Sequence, residues 1–249
     1  MDAFDVFDAH VHAGRWLTPD FAGRESSLDQ VCDVLDRAGI TGALVMPTDA
    51  GDNNGLLDAV AGRVGFPALR FAAWINPSAP GLPGWLEANA SRIDAIKVHP
   101  SFCRLPITAP AFTPFLEFAR EHSLPVVVHC GRWREVAGFE LSLERARAFP
   151  EVPFILSHMG GDSPGLVLGA VDALGDGTLP NVHLGTESIR EYWLVGRAVD
   201  ALGPERLVFG SDHNLNHPKS FLAVLDALDI SPDARALILG GNARRLINP

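Results

Sequence analysis

At 249 residues the chain is long enough for one large core, and a single β/α domain fits that length better than two separate domains. Acidic residues outnumber basic ones 30 to 20, a formal charge of −10, which argues against nucleic acid or an anionic membrane surface as a partner and in favour of small molecules. No stretch approaches the ~18 uncharged apolar residues of a membrane span, no basic-then-hydrophobic leader precedes the first strand, and the widely spaced Cys32, Cys103 and Cys130 suggest neither a disulfide framework nor a zinc knuckle, so a cytoplasmic protein is the default expectation.

The first element is the apolar run 4–12, which ends in His10-Val11-His12. Successive side chains of a strand point to opposite faces, so the two imidazoles fall on one face about 7 Å apart, a geometry that can chelate a metal. They make poor core residues, because each needs partners for both ring nitrogens. The next segment reads as a helix with both ends marked. Ser27 to Gln30 matches a capping box, Val31, Val34, Leu35 and Ala38 form a stripe at helical spacing, and Gly39 sits where a C-terminal cap is wanted. Further β-type runs follow at 40–48, 69–77, 93–100, 124–131, 152–161, 181–188 and 206–214, one about every 30 residues, the size of a βα unit. Several, such as Val126-Val127-Val128 and Phe154-Ile155-Leu156, are continuously apolar, as parallel strands buried on both faces are. Helices are predicted over 110–122, where Phe112, Phe115, Phe118 and Ala119 share one side, and over 188–202, 218–228 and 232–239. The segment 82–90 is the least regular, because Pro80, Gly81, Pro83 and Gly84 crowd its start. Eight strand-then-helix units predict an α/β fold, a (β/α)8 TIM barrel forming one domain over residues 1–249.

In such a barrel the chemistry sits at the C-terminal ends of the strands. The first run ends in His10 and His12, the fourth in Lys97 and His99, the fifth in His129, the sixth in His158 and the eighth in Asp212. One such residue alone reads as an ordinary satisfied polar group; five strands ending this way on one side do not. Imidazoles with one carboxylate suit zinc and leave a position open for water. Loop residues add candidates for substrate binding: Arg15 and Trp16 after the His-x-His pair, and Arg132 and Arg134 around Trp133. An arginine at a barrel mouth can grip a carboxylate with two nitrogens. His99 is expected to line the pocket, Glu187 and Asn76 are lesser pocket candidates, and His122 and His183 read as structural.

Six segments carry a family resemblance: Asp8-Ala9-His10-Val11-His12, Ile96-Lys97-Val98-His99-Pro100, Val128-His129-Cys130, Leu156-Ser157-His158-Met159-Gly160-Gly161, Phe209-Gly210-Ser211-Asp212 and Leu239-Gly240-Gly241-Asn242-Ala243. Together they resemble the amidohydrolase superfamily, and within it the amidohydrolase-related branch that includes aminocarboxymuconate-semialdehyde decarboxylase. The resemblance implies that His10, His12 and Asp212 bind one divalent metal ion, expected to be zinc, with His129 as a further ligand. It also implies that Asp212 and His158 are the catalytic acid and base groups. Some members carbamylate a lysine in the setting of Ile96-Lys97-Val98 to bridge two metals; Lys97 is expected to stay a free amine, with two ions, the second on His129 and His158, as the alternative. His213 and His217 depart from the aromatic-proline pattern of the branch after the aspartate. The activity implied is that of a metal-dependent hydrolase of an amide, lactone or other ester of a small, anionic substrate. The alternatives are a non-oxidative decarboxylase on the same site and a non-catalytic metal-binding barrel. The expected partner is a small-molecule substrate, with no nucleic acid and no membrane, and a homo-oligomer is compatible with the sequence.

Overall fold

A computed structural model describes residues 5–65, 67–131 and 133–247. Nine strands form one sheet in the order β2-β1-β3-β4-β5-β6-β7-β8-β9. They are β1 (Phe7–Arg15), β2 (Glu25–Ser26), β3 (Gly42–Pro47), β4 (Ala68–Ile75), β5 (Ala95–Val98), β6 (Val126–Val128), β7 (Phe154–Leu156), β8 (Val182–Gly185) and β9 (Leu207–Val208). All neighbours run parallel except β2, a short strand not foreseen in the sequence, which pairs antiparallel with the end of β1. The architecture is therefore α/β with a curled, mostly parallel sheet whose parallel strands overlap the eight expected runs, β1 extending past its run to Arg15. Its two edges approach each other: Ala9 N–H donates to Phe209 C=O and Asp212 N–H to His10 C=O, both at 2.9 Å, and Val11 forms a single bridge with His213. A continuous β9–β1 ladder, which the expected closed barrel would have, is absent among the described residues, because β9 is two residues long and Asp212 leaves the strand conformation at φ 58°.

Alternate strand residues feed two cores. Ala43, Val45, Ile96, Val98, Phe154 and Leu156 join the large core beneath the helices. The residues between them, Leu44, Met46, Ala95, Val127 and Ile155, form an inner cluster with Phe7, Ala9 and the helix Asn242–Ile247, whose Ala243, Leu246 and Ile247 close one end of the curled sheet. On β1, strict alternation from Phe7 and Ala9 would carry Val11 inward and both histidines outward. The β1–β3 register shifts between Asp8 and Val11, and Val11 lies in the outer core. One extra residue at a bulge swaps the faces of everything after it, so His10 and His12 follow Ala9 to the inside.

The helices obey their local signals. Ser27 and Gln30 form the capping box, and Gly39 ends Leu28–Ala38 at φ 78°. Leu82–Asn89 is helical despite its prolines, since Pro83 occupies the first turn, where no N–H partner is required. Several helices differ from expectation at their ends: those expected over 110–122 and 218–228 span Thr113–Glu121 and Pro218–Asp226, the one expected from 188 begins at Tyr192, and the one expected to run to 239 stops at Ala236. After it a wide turn, Leu237–Gly241, leads into Asn242–Ile247, where Asn242 Nδ2–H donates to the Pro204 and Leu207 carbonyls at 2.8 Å each. Among the described residues no helix is long and apolar enough to cross a membrane.

His183 of β8 is buried beside Arg206 and Arg245, and burial foremost, with those two cations, pushes its pKa down to about 4 from 6.5. Between those values the unfolded chain binds a proton that the folded chain refuses, so stability falls as pH drops from 6.5 towards 4 and is unaffected by this residue above that window. At about 1.36 kcal/mol per pH unit the loss amounts to about 3 kcal/mol. His183→Gln is expected to flatten the stability–pH curve across this window in denaturant titrations; a curve as steep as that of the parent chain would refute the assignment.

Candidate metal and active site

His10, His12 and Asp212 are the described residues whose ligand atoms gather, all within 4.8 Å of one another. His10 Nε2 lies 3.1 Å from His12 Nε2, and Asp212 Oδ1 lies 3.7 and 3.6 Å from the two nitrogens. Their partners on the far side decide which ring nitrogen is protonated. His12 Nδ1 sits 2.8 Å from the Pro47 carbonyl, which can only accept, so the proton is on Nδ1. His10 Nδ1 likewise donates to Glu187 Oε1 at 2.8 Å. Two bare Nε2 lone pairs thus face each other beside a carboxylate oxygen. Lys97 Nζ, 3.5 Å from His10 Nε2, is too distant for a good hydrogen bond. Protonating either ring is disfavoured: burial, followed by the charge of Lys97, lowers His10, and burial, followed by His10 and Lys97, holds His12 well below its ordinary value. Such a donor set fits a divalent cation.

Around this trio stand the other strand-end residues. His158 Nδ1–H donates to the Glu187 carbonyl at 3.2 Å, so its Nε2 is bare and accepts from His129 Nδ1–H at 3.1 Å. His129 therefore joins the centre through His158, one imidazole further out than His10 and His12. His99 stacks flat on His129, with centroids 3.8 Å apart, and both stay neutral because burial above all pushes their pKa values well down. Lys97 is fully buried, donates to Ser157 Oγ at 3.2 Å, and is lowered by burial to about 8 although Glu187 and Asp212 oppose this. Glu187 is buried too; burial alone would raise its pKa, and the hydrogen bonds it accepts, His10 Nδ1–H foremost, act in the opposite direction. Ser188 Oγ–H donates to Asp212 Oδ2 at 3.0 Å and accepts from Asn216 Nδ2–H at 3.0 Å. Non-glycine residues at φ between 52° and 63° concentrate here, at His158, Met159, Ser188 and Asp212. Each such residue costs about 1–3 kcal/mol, and strain of this kind gathers at functional sites.

A cavity of about 330 Å³ opens above His99 and His129, walled by Phe21, Phe102 and Trp133 with Asp20 and Asp162. His99 thus lines it as expected. Trp16 does not: it packs edge-on against His12 at 4.8 Å and donates from Nε1–H to Asn214 Oδ1 at 2.7 Å. Nor do two of the expected arginines. Arg15 borders a separate cavity with Glu25 and Thr48, and Arg134 is an exposed partner of Glu140. Arg132 lies outside the described residues. Asn76 lines yet another cavity, with Trp74 and Trp85. Glu187 is the residue that sequence reasoning undervalued; its signal was only a carboxylate at the end of an apolar strand.

A sequence model of the amidohydrolase family matches residues 7–248, and the chain belongs to that family. No curated protein sequence matches it significantly. Solved structures share its fold at low identity. Among them is 5-carboxyvanillate decarboxylase from Sphingomonas paucimobilis, 15% identical with TM-score 0.75 over 98% of this chain and 99% of that one. A Pseudomonas putida protein described as a 2-pyrone-4,6-dicarboxylic acid hydrolase is 18% identical with TM-score 0.75 over 99% and 98%. An amidohydrolase from Burkholderia multivorans with bound zinc is 16% identical with TM-score 0.73 over 98% and 99%.

Proposed function

We propose that the chain is a metal-dependent hydrolase of a small carbonyl compound, an amide, lactone or other ester, working at the mouth of a (β/α)8 barrel completed by the edge bonds between β1 and residues 209–213. The observation that carries this reading is the pair of proton-free Nε2 atoms of His10 and His12 facing Asp212 Oδ1. One divalent ion, zinc by the preference of imidazole and carboxylate donors, would be held there and would supply an acidified water and a Lewis-acid centre. Asp212, steadied by the Ser188 hydroxyl on Oδ2, takes the proton of the attacking water and passes it to the leaving group. His158, with Nδ1–H pinned on the Glu187 carbonyl, would polarise or protonate the reacting carbonyl side only after its Nε2 has taken a proton. His129 supplies it: a proton arriving on His129 Nε2 from the cavity releases the Nδ1 proton to His158 Nε2.

One ion rather than two is supported by the contrast between the histidine pairs. His129 Nδ1–H satisfies His158 Nε2 at 3.1 Å, whereas among the described residues the His10–His12 Nε2 pair is faced only by Asp212 and by Lys97 Nζ, 3.5 Å from His10 Nε2. Lys97 then remains an amine bonded to Ser157. The intact mass of the chain is expected to carry no added carbon dioxide, and bound metal to stop near one ion per chain; two ions would overturn this.

Decarboxylation on the same site is the second reading, supported by the 5-carboxyvanillate decarboxylase among the structural neighbours. A decarboxylase must hold a substrate carboxylate beside the metal. The leading reading remains hydrolysis of a small, anionic substrate. A panel of lactones, amides and aromatic acids tests it: release of acid or amine is expected, and release of carbon dioxide from an aromatic acid without any hydrolysis would replace this reading with the decarboxylase.

A further inference from the structure

We propose that Glu187 is a positioning residue that holds His10 and His158 in the tautomers with bare Nε2 atoms, and thereby sets how tightly the His10, His12 and Asp212 group binds a divalent cation; the proposal rests on reading that group as a metal site. A carboxylate 1% exposed has lost its water and must be compensated by donors. Glu187 Oε1 takes two of them, His10 Nδ1–H at 2.8 Å and the His158 main-chain N–H at 3.2 Å. Its own main-chain carbonyl takes a third, His158 Nδ1–H at 3.2 Å. The side chain of one residue therefore fixes one imidazole, and its backbone fixes the other. An imidazole protonated on Nδ1 presents its lone pair on Nε2, so a single residue aims the His10 lone pair at the His12 and Asp212 donors and the His158 lone pair at His129.

The space around the carboxylate is a second and separate observation. A Cβ placed on Gly185 would lie 2.4 Å from Glu187 Oε2, and one on Gly210 would lie 2.9 Å from it. Both the end of β8 and the turn before Asp212 are stripped of side chains where the carboxylate sits. A residue serving packing alone would fill this room with carbon at lower cost than a buried charge. Hydrogen bonds to the outer nitrogen of a ligand histidine fix its orientation, and their loss weakens metal binding about 10–100-fold.

The test uses the full chain stripped by chelator and dialysis, with Zn²⁺ and Mn²⁺ as probes. Nitrogen-15 NMR of the metal-free wild type should find His10 and His158 protonated on Nδ1; a proton on His10 Nε2 overturns the proposal. Zn²⁺ affinity, read by competition with a chromophoric chelator, should fall about 10–100-fold in Glu187→Ala. It should be largely restored in Glu187→Gln, whose amide oxygen still accepts from Nδ1–H. Wild-type affinity in Glu187→Ala, or no recovery in Glu187→Gln, overturns it. Where Glu187→Ala fails to fold, the wild-type tautomers and the glutamine variant decide. A wild type that takes up neither ion defeats the metal reading instead, and the tautomer measurement then still decides whether Glu187 orients the two imidazoles.

Discussion

Asp212→Asn is expected to lower kcat at least ~100-fold, the lower range for loss of a general base, in a chain that still folds. The substitution keeps the shape and the acceptor oxygen, so Ser188 Oγ–H retains a partner. It removes the negative charge that faces both Nε2 atoms at 3.6–3.7 Å and the ability to carry a proton. Because the carboxylate is also a proposed ligand, metal content has to be measured on the same sample. Turnover lost with metal retained isolates the proton-transfer role; metal lost as well assigns the larger part to binding. Near-normal kcat with metal retained would show that the chemistry runs through another group. His158→Asn is expected to lose a similar order of rate, since it removes the bare Nε2 that receives the His129 proton.

The second large effect belongs to the His-x-His pair. Either His10→Ala or His12→Ala leaves one imidazole and one carboxylate, too few protein donors for a stable site. Activity is expected to fall to background and not to return with excess Zn²⁺. Each variant also frees a buried partner, Glu187 for His10 and the Pro47 carbonyl for His12. The former is the costlier, because it strands a charge rather than a neutral dipole. His10→Ala should therefore melt at a lower temperature than His12→Ala; the reverse order would contradict the assignment of Glu187 as ionised.

Much of the centre was legible in residue types and their spacing. His158 and Asp212 follow strand ends and His10 and His12 lie within β1, positions that the βα rhythm, readable from apolar runs, brings to one side of the sheet. The side they face was less secure. Period-two reasoning correctly places His10 and His12 together, but a bulge between Asp8 and Val11 decides that they point inward, and nothing in five ordinary residues announces it. The runs 152–161 and 206–214 looked like long strands because apolar composition does not reveal where a non-glycine chain enters left-handed backbone. His158, Met159 and Asp212 do so, and tertiary bonds hold them there against local preference. Arginines were the weakest inference. Arg15 and Arg134 adjoin the right strands in sequence, yet a side chain of that length chooses its own partner, and Arg134 chose Glu140. Glu187 escaped emphasis for the opposite reason: its importance lies in being buried and doubly bonded, properties that sequence does not carry.

The central claim is that two proton-free imidazole nitrogens and one carboxylate oxygen make a cation site. Elemental analysis of the purified chain after dialysis against dilute Zn²⁺, run beside a well-folded His10→Ala/His12→Ala double variant, tests it most directly. About one ion per chain in the parent and almost none in the double variant is the predicted result; equal metal content in the two proteins would contradict it.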